Sequence, residues 1–91
     1  MIVLINPNNT VSMTLAMLRT ARDTVPTAEF EGWTSHDGPP AIQGAEDGRL
    51  AEEPLLRLVA KASGQGASAI VIACFDDTAL SVARERASCP V

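Results

Sequence analysis

Two uninterrupted apolar runs, amphipathic segments between them, and turn residues at each changeover predict an α/β fold: an open parallel sheet with helices on both faces. The runs are Met1 to Ile5 (MIVLI) and Ala69 to Cys74 (AIVIAC). Strands of a parallel sheet are covered on both sides, so they read as continuous apolar stretches and do not alternate. Parallel neighbours need a crossover of a dozen or more residues, usually a helix, and such crossovers are right-handed.

The first run is halted by Asn6-Pro7-Asn8, so the first strand ends at Asn6 in a turn. From Thr10 the period changes, and Val11, Leu15, Leu18 and Val25 fall on one side of a helix over about Thr10 to Thr24, with Asn9 or Thr10 as its cap. Pro26 stops it, and Glu29 to Thr34 (EFEGWT) alternates charged with larger residues, as expected of a shorter strand near the sheet edge in which Phe30 and Trp33 pack. Ser35 to Pro40 holds a glycine and two prolines and must be a loop. Two helical pieces follow, Ala41 to Leu50 and Pro54 to Ser63, divided at Pro54 because proline suits a first helical position and not an interior one. Leu55, Leu56, Val59 and Ala62 form the buried stripe of the second piece, and Gly64 and Gly66 end it. The second apolar run is then the central strand. Asp76 and Asp77 cap a helix of about Asp77 to Ala87 with Leu80 and Ala83 inward, and Pro90-Val91 begins a further strand, so the sequence reads as cut inside an element.

Composition narrows the function. Ninety-one residues allow one modest core, and the 46% apolar share is that of a folded chain. A net charge of −4, with seven basic residues scattered among eleven acidic ones, excludes a nucleic-acid partner. The longest apolar stretch falls far short of the ~20 residues of a membrane span, and the N-terminus has no basic flank or cleavage site. The chain therefore reads as cytoplasmic, away from membranes, with Cys74 and Cys89 as free thiols. No zinc spacing exists, because there is no Cys-x-x-Cys and His36 is the only histidine. Asp76-Asp77 could suggest Mg²⁺, but that use of an acidic pair needs more carboxylates at the end of the first strand, where Asn6-Pro7-Asn8 stands; no metal is expected.

Ligands of open parallel sheets bind beyond the carboxyl ends of the strands, where the loops Asn6 to Thr10, Ser35 to Pro40 and Cys74 to Asp77 arrive. Cys74 is the thiol at that end. At a strand-to-helix junction, free backbone N–H groups and the helix dipole stabilise a thiolate, while the neighbouring Asp76 and Asp77 carboxylates oppose one; the residues alone leave the balance open, as they leave open a plain apolar role. A Cys-x5-Arg phosphatase loop would need Arg at position 80, which is Leu80. His36 reads as a solvated loop residue and Cys89 as structural.

The blocks Ile5-Asn6-Pro7-Asn8-Asn9-Thr10 with Met13-Thr14, Gly38-Pro39 with Ile42, Val71 to Asp77, Ala83-Arg84-Glu85 and Pro90-Val91 resemble, in order and spacing, the aspartate/glutamate/hydantoin racemase superfamily, especially its hydantoin and allantoin branch. The resemblance runs through the whole chain. It implies a protein of about twice this length, with residues 1–91 as the first of two similar α/β lobes around a cleft. It further implies a cofactor-independent racemase or epimerase of amino acids or hydantoin-type ureides, in which one cysteine removes the Cα proton and another returns it on the opposite face. Cys74 matches the first lobe's cysteine, and the second would lie beyond Val91, so this chain alone is expected to be inactive. Asn6 matches a substrate-contacting amide but is equally a turn residue. The backbone N–H groups of Phe75 and Asp76 could bind a carboxylate or imide oxygen. A small-molecule substrate, no cofactor and a homo-oligomer are expected; the alternative is a non-catalytic small-molecule-binding or interaction domain on the same fold.

Overall fold

The computed structural model describes residues 1–91 and contains six elements: β1 (Ile2–Asn6), α1 (Val11–Thr24), β2 (Phe30–Thr34), α2 (Ala45–Gly64), β3 (Ala69–Ile72) and α3 (Leu80–Arg86). The strands form one parallel sheet in the order β2-β1-β3, with Leu4 opposite Gly32 on one side and Val71 on the other. This is the open α/β sheet expected from the apolar runs. Its middle strand, however, is β1, not β3. Val3, Leu4 and Ile5 are buried, whereas Val71 remains 45% exposed, because no helix covers β3 on that face. The segment after α3 does run along the outer edge of β3, where Ile70 N–H donates to the Pro90 carbonyl at 2.9 Å.

The two faces are built differently. Val3 and Ile5 of β1 join Ile70 of β3, Leu55, Val59 and Ala62 of α2, Ala67, and Ala83 of α3 in a single apolar cluster. Trp33 and Ile72 point to the same side, since they share the pleat of Val3 and Ile5, and both pack against that cluster. The Lys61 ammonium lies 5.2 Å from the Trp33 ring centroid, closing the β2 edge.

The opposite face carries α1 alone, and here the expected stripe is wrong. Leu15 is 57% exposed, Val11 and Val25 are exposed as well, and the buried residue of α1 is Thr14. The reason lies in Gly32: a Cβ there would stand 3.2 Å from Thr14 Cγ2 and 3.4 Å from Leu18 Cδ2. The bare strand backbone lets the helix approach with Thr14 and Leu18 facing it, which rotates Leu15 outward. The cap expectation also fails. Thr10 holds the N-cap position of α1 without a side-chain cap; its hydroxyl donates to the Pro40 carbonyl at 2.8 Å, and the Asn9 amide donates to the Gly38 carbonyl at 3.0 Å.

Two further expectations are corrected. The two helical pieces are one 20-residue helix, α2, with Pro54 inside it, and residues 41–43 lie before it. A proline there forfeits one backbone bond and crowds the carbonyl four residues back. Ala51, Leu55, Val59 and Ala62 form a stripe that continues across the proline and is fully buried, and this burial carries the helix through. The last helix starts at Leu80, not Asp77, because Asp77 (φ 52°) and Ala79 (φ 54°) are left-handed. Asp76 and Asp77 therefore cap nothing by side chain.

These placements predict a contrast. Leu55→Ala should lower stability by about 3 kcal/mol, while Leu15→Ala should change it by less than about 0.5 kcal/mol, as read by urea unfolding followed by circular dichroism. The reverse order would mean that α1 buries the Leu15 side.

Candidate functional site

The chain leaves the sheet at Cys74 through two successive tight turns. Ala73 N–H donates to the Ile5 carbonyl at 2.9 Å, so pairing with β1 continues one residue beyond β3. Cys74 N–H then donates back to the Ile72 carbonyl at 2.9 Å, and Asp77 N–H donates to the Cys74 carbonyl at 3.2 Å. The thiol is thereby lifted out of the sheet at its carboxyl end.

It opens into a cavity of about 540 Å³ bounded by residues 6–8 after β1, Met13 and Met17 of α1, residues 41–43, and residues 73–75 after β3. That volume suits a small organic molecule. A groove of about 570 Å³ lies along α1 and β3, walled by Leu4, Met17, Phe30 and Val71 among others, but no ionisable side chain lines it. The first cavity, by contrast, is lined by the thiol of Cys74.

Of the site residues expected from sequence, Asn6, Cys74 and Phe75 meet in this cavity. Asp76 does not. It lines a separate depression with Gly44, Arg49, Glu52 and Asp77, so its carboxylate lies outside the cavity. The backbone N–H groups of Phe75 and Asp76 have no acceptor within the chain, and the Phe75 ring is 91% exposed. The helix dipole expected behind Cys74 is displaced, since α3 begins six residues later.

Asn6 is 1% exposed, and its amide is already engaged. Its Nδ2 is directed at Asn8 Oδ1 (2.9 Å), the Thr10 carbonyl (3.2 Å) and Thr14 Oγ1 (3.1 Å), while its Oδ1 accepts from Asn8 N–H at 3.1 Å. Asn8 Oδ1 in turn accepts from Thr10 N–H at 2.9 Å, and the Thr14 and Thr34 hydroxyls lie 2.7 Å apart. This buried network sets the first loop of the site against the ends of β1, β2 and α1.

The neighbouring loop is held by contact. A Cβ on Gly38 would stand 2.5 Å from the Pro7 carbonyl oxygen, so only glycine fits there. Asn9 N–H donates to the Pro39 carbonyl at 2.9 Å across the same junction. His36 is exposed, and Cys89 packs against the apolar cluster away from the cavity.

Sequence reasoning missed Thr78 as a site residue. It is buried, and its hydroxyl donates to Cys74 Sγ at 3.6 Å. The available signal was a hydroxyl residue four positions after the thiol within a turn, overlooked because a helix was expected there. Thr14 gives no polar signal by its spacing, and it is the close approach of α1 to Gly32 that buries it.

The Asp/Glu/hydantoin racemase family profile matches residues 2–91. The chain belongs to this family. A hydantoin racemase from Rhizobium meliloti is 41% identical in a 90-residue alignment that covers 97% of this chain and 37% of that protein. The solved allantoin racemase from Klebsiella pneumoniae superposes with a TM-score of 0.93 at 35% identity, over 99% of this chain and 37% of that one. The chain thus spans a little over a third of the length of the racemases it matches, not the half expected from sequence. As in that racemase structure, its fold is an open parallel α/β sheet. No helix is long and apolar enough to cross a membrane.

Two outcomes follow for the loops. Asn6→Ala should lower stability by about 3 kcal/mol, because it leaves several buried partners unsatisfied, and a urea midpoint unchanged from the parent's would refute the network's importance. Gly38→Ala should cost about 2 kcal/mol in the same measurement, since the Pro7 carbonyl must move to admit the methyl group.

Proposed function

We propose that this chain supplies one half of a racemase or epimerase site for amino acids or hydantoin-type ureides, with Cys74 as one of two thiol acid/bases. The observation that carries the reading is the place of Cys74. In a chain of the racemase family, it lines a cavity of small-molecule size at the carboxyl ends of β1 and β3. The substrate class is carried over from the two racemases named above.

Inverting a Cα centre requires a base on one face and an acid on the other. Cys74 removes or delivers the proton on its side, and the free N–H group of Phe75 donates a hydrogen bond to a carboxylate or imide oxygen as charge develops there. Asn6 acts by holding the first loop through its internal hydrogen bonds, not by a direct substrate contact. The opposing thiol comes from a second lobe, since Cys89 does not reach the cavity. In this reading residues 1–91 are one lobe, both cysteines stay unpaired in the cytoplasm, and the working form is a homo-oligomer.

Proton NMR of Cα–H exchange in D₂O tests the assignment over a panel of amino acids, hydantoins and ureides, with the intact protein and its Cys74→Ala variant. Exchange should fall at least about a hundredfold in the variant. Equal exchange would remove Cys74 from the chemistry, and no exchange on any compound would favour a non-catalytic binding domain.

A further inference from the structure

We propose that Thr78 is a positioning residue for Cys74: its hydroxyl fixes the sulfur and occupies one of its lone pairs, leaving another free to exchange a proton with the substrate. The inference rests on the reading of Cys74 as an acid/base.

Three observations support it. Thr78 is 7% exposed, so its hydroxyl is shielded from water and directed at Cys74 Sγ, 3.6 Å away. The residues on either side, Asp77 and Ala79, both adopt left-handed backbone conformations. Such conformations are disfavoured for residues with a Cβ, most plainly for alanine, and persist where the surroundings over-determine them. The third is what the chain forgoes. Asp77 could have capped α3, but α3 starts later without a side-chain cap, and is only seven residues long. A strained turn replaces a longer, capped helix, and it leaves one buried hydroxyl on the thiol.

The chemistry favours a donor at this position. A hydroxyl hydrogen bond to sulfur is stronger when the sulfur carries charge, so it stabilises the thiolate and the transition state leading to it. Because the donated hydrogen occupies one lone pair in both protonation states, the thiol proton is directed elsewhere. An acid/base that must work in both directions gains a fixed axis for transfer.

The test compares Thr78→Val, which keeps the shape and removes the hydroxyl, with Thr78→Ser, which keeps the hydroxyl. Thr78→Ala serves as a second hydroxyl-free variant should the valine disturb folding, which far-UV circular dichroism would reveal. Cys74 alkylation by iodoacetamide at neutral pH, quantified by peptide mass spectrometry, should slow about threefold in the valine variant, because the sulfur is no longer held in one orientation by the hydroxyl. Serine should restore the parent rate. On a substrate showing Cα exchange, valine should lower kcat about tenfold with little change in KM, and serine should again restore it. A valine variant that matches the parent in alkylation, or a serine variant as impaired as valine, overturns the proposal. If no compound exchanges in the parent, the racemase reading fails, while the alkylation series still decides whether Thr78 acts on the sulfur.

Discussion

The buried amide of Asn6 is the constraint on which the rest of the site depends. It ends the middle strand, where an ordinary apolar residue would leave the Asn8 N–H without a partner. By accepting from Asn8 N–H and donating toward Thr10 and Thr14, it turns the chain out of the sheet and starts α1 in one step. A cluster of buried polar groups is stabilising only when every member is satisfied, and this one is closed through Asn8, Thr14 and Thr34. The Thr34 contact matters because Thr34 pairs with Asn6 in register, so the ends of two adjacent strands are fixed to the same helix. The floor of the cavity is therefore specified by hydrogen-bond geometry as much as by apolar packing.

The sheet divides its tasks between its faces. On one side, α2 and α3 bury an apolar cluster that includes Val3, Ile5, Leu55 and Val59, and most of the hydrophobic driving force resides there. On the other side, α1 lies close over Gly32 and contributes Thr14 in place of a large apolar residue. The functional end draws on both: α1 brings Met13 and Met17 to the cavity wall, and the stable half holds β3, from whose end Cys74 emerges. Such a support fixes the position from which the Cys74 side chain meets the cavity.

Much of this was legible in the residues. The strands were, because a run such as Met1 to Ile5 has few alternatives to burial within a parallel sheet, and the meeting of Asn6, Cys74 and Phe75 at one end followed from the parallel topology. What was not legible depended on contacts between distant segments. Val11, Leu15 and Val25 have the right spacing for a buried stripe, but a glycine on β2 decides which side of α1 faces inward. Pro54 reads as a boundary until the stripe from Ala51 to Ala62 is seen buried as a unit. Asp76 and Asp77 have cap chemistry, yet the left-handed turn at Asp77 and Ala79 overrides it and moves Asp76 out of the cavity. In each instance a local preference gave way to a tertiary contact.

The close approach of Gly38 to Pro7 has an evolutionary consequence. Two loops far apart in sequence meet here with no clearance for even a methyl group, and the bonds from Asn9 and Thr10 to residues 38–40 join them further. Such loops cannot drift separately. An insertion or a bulkier residue in either one would have to be matched in the other, so diversification at this rim of the cavity should proceed by paired replacements, with residues 6–10 and 35–40 inherited together as one unit.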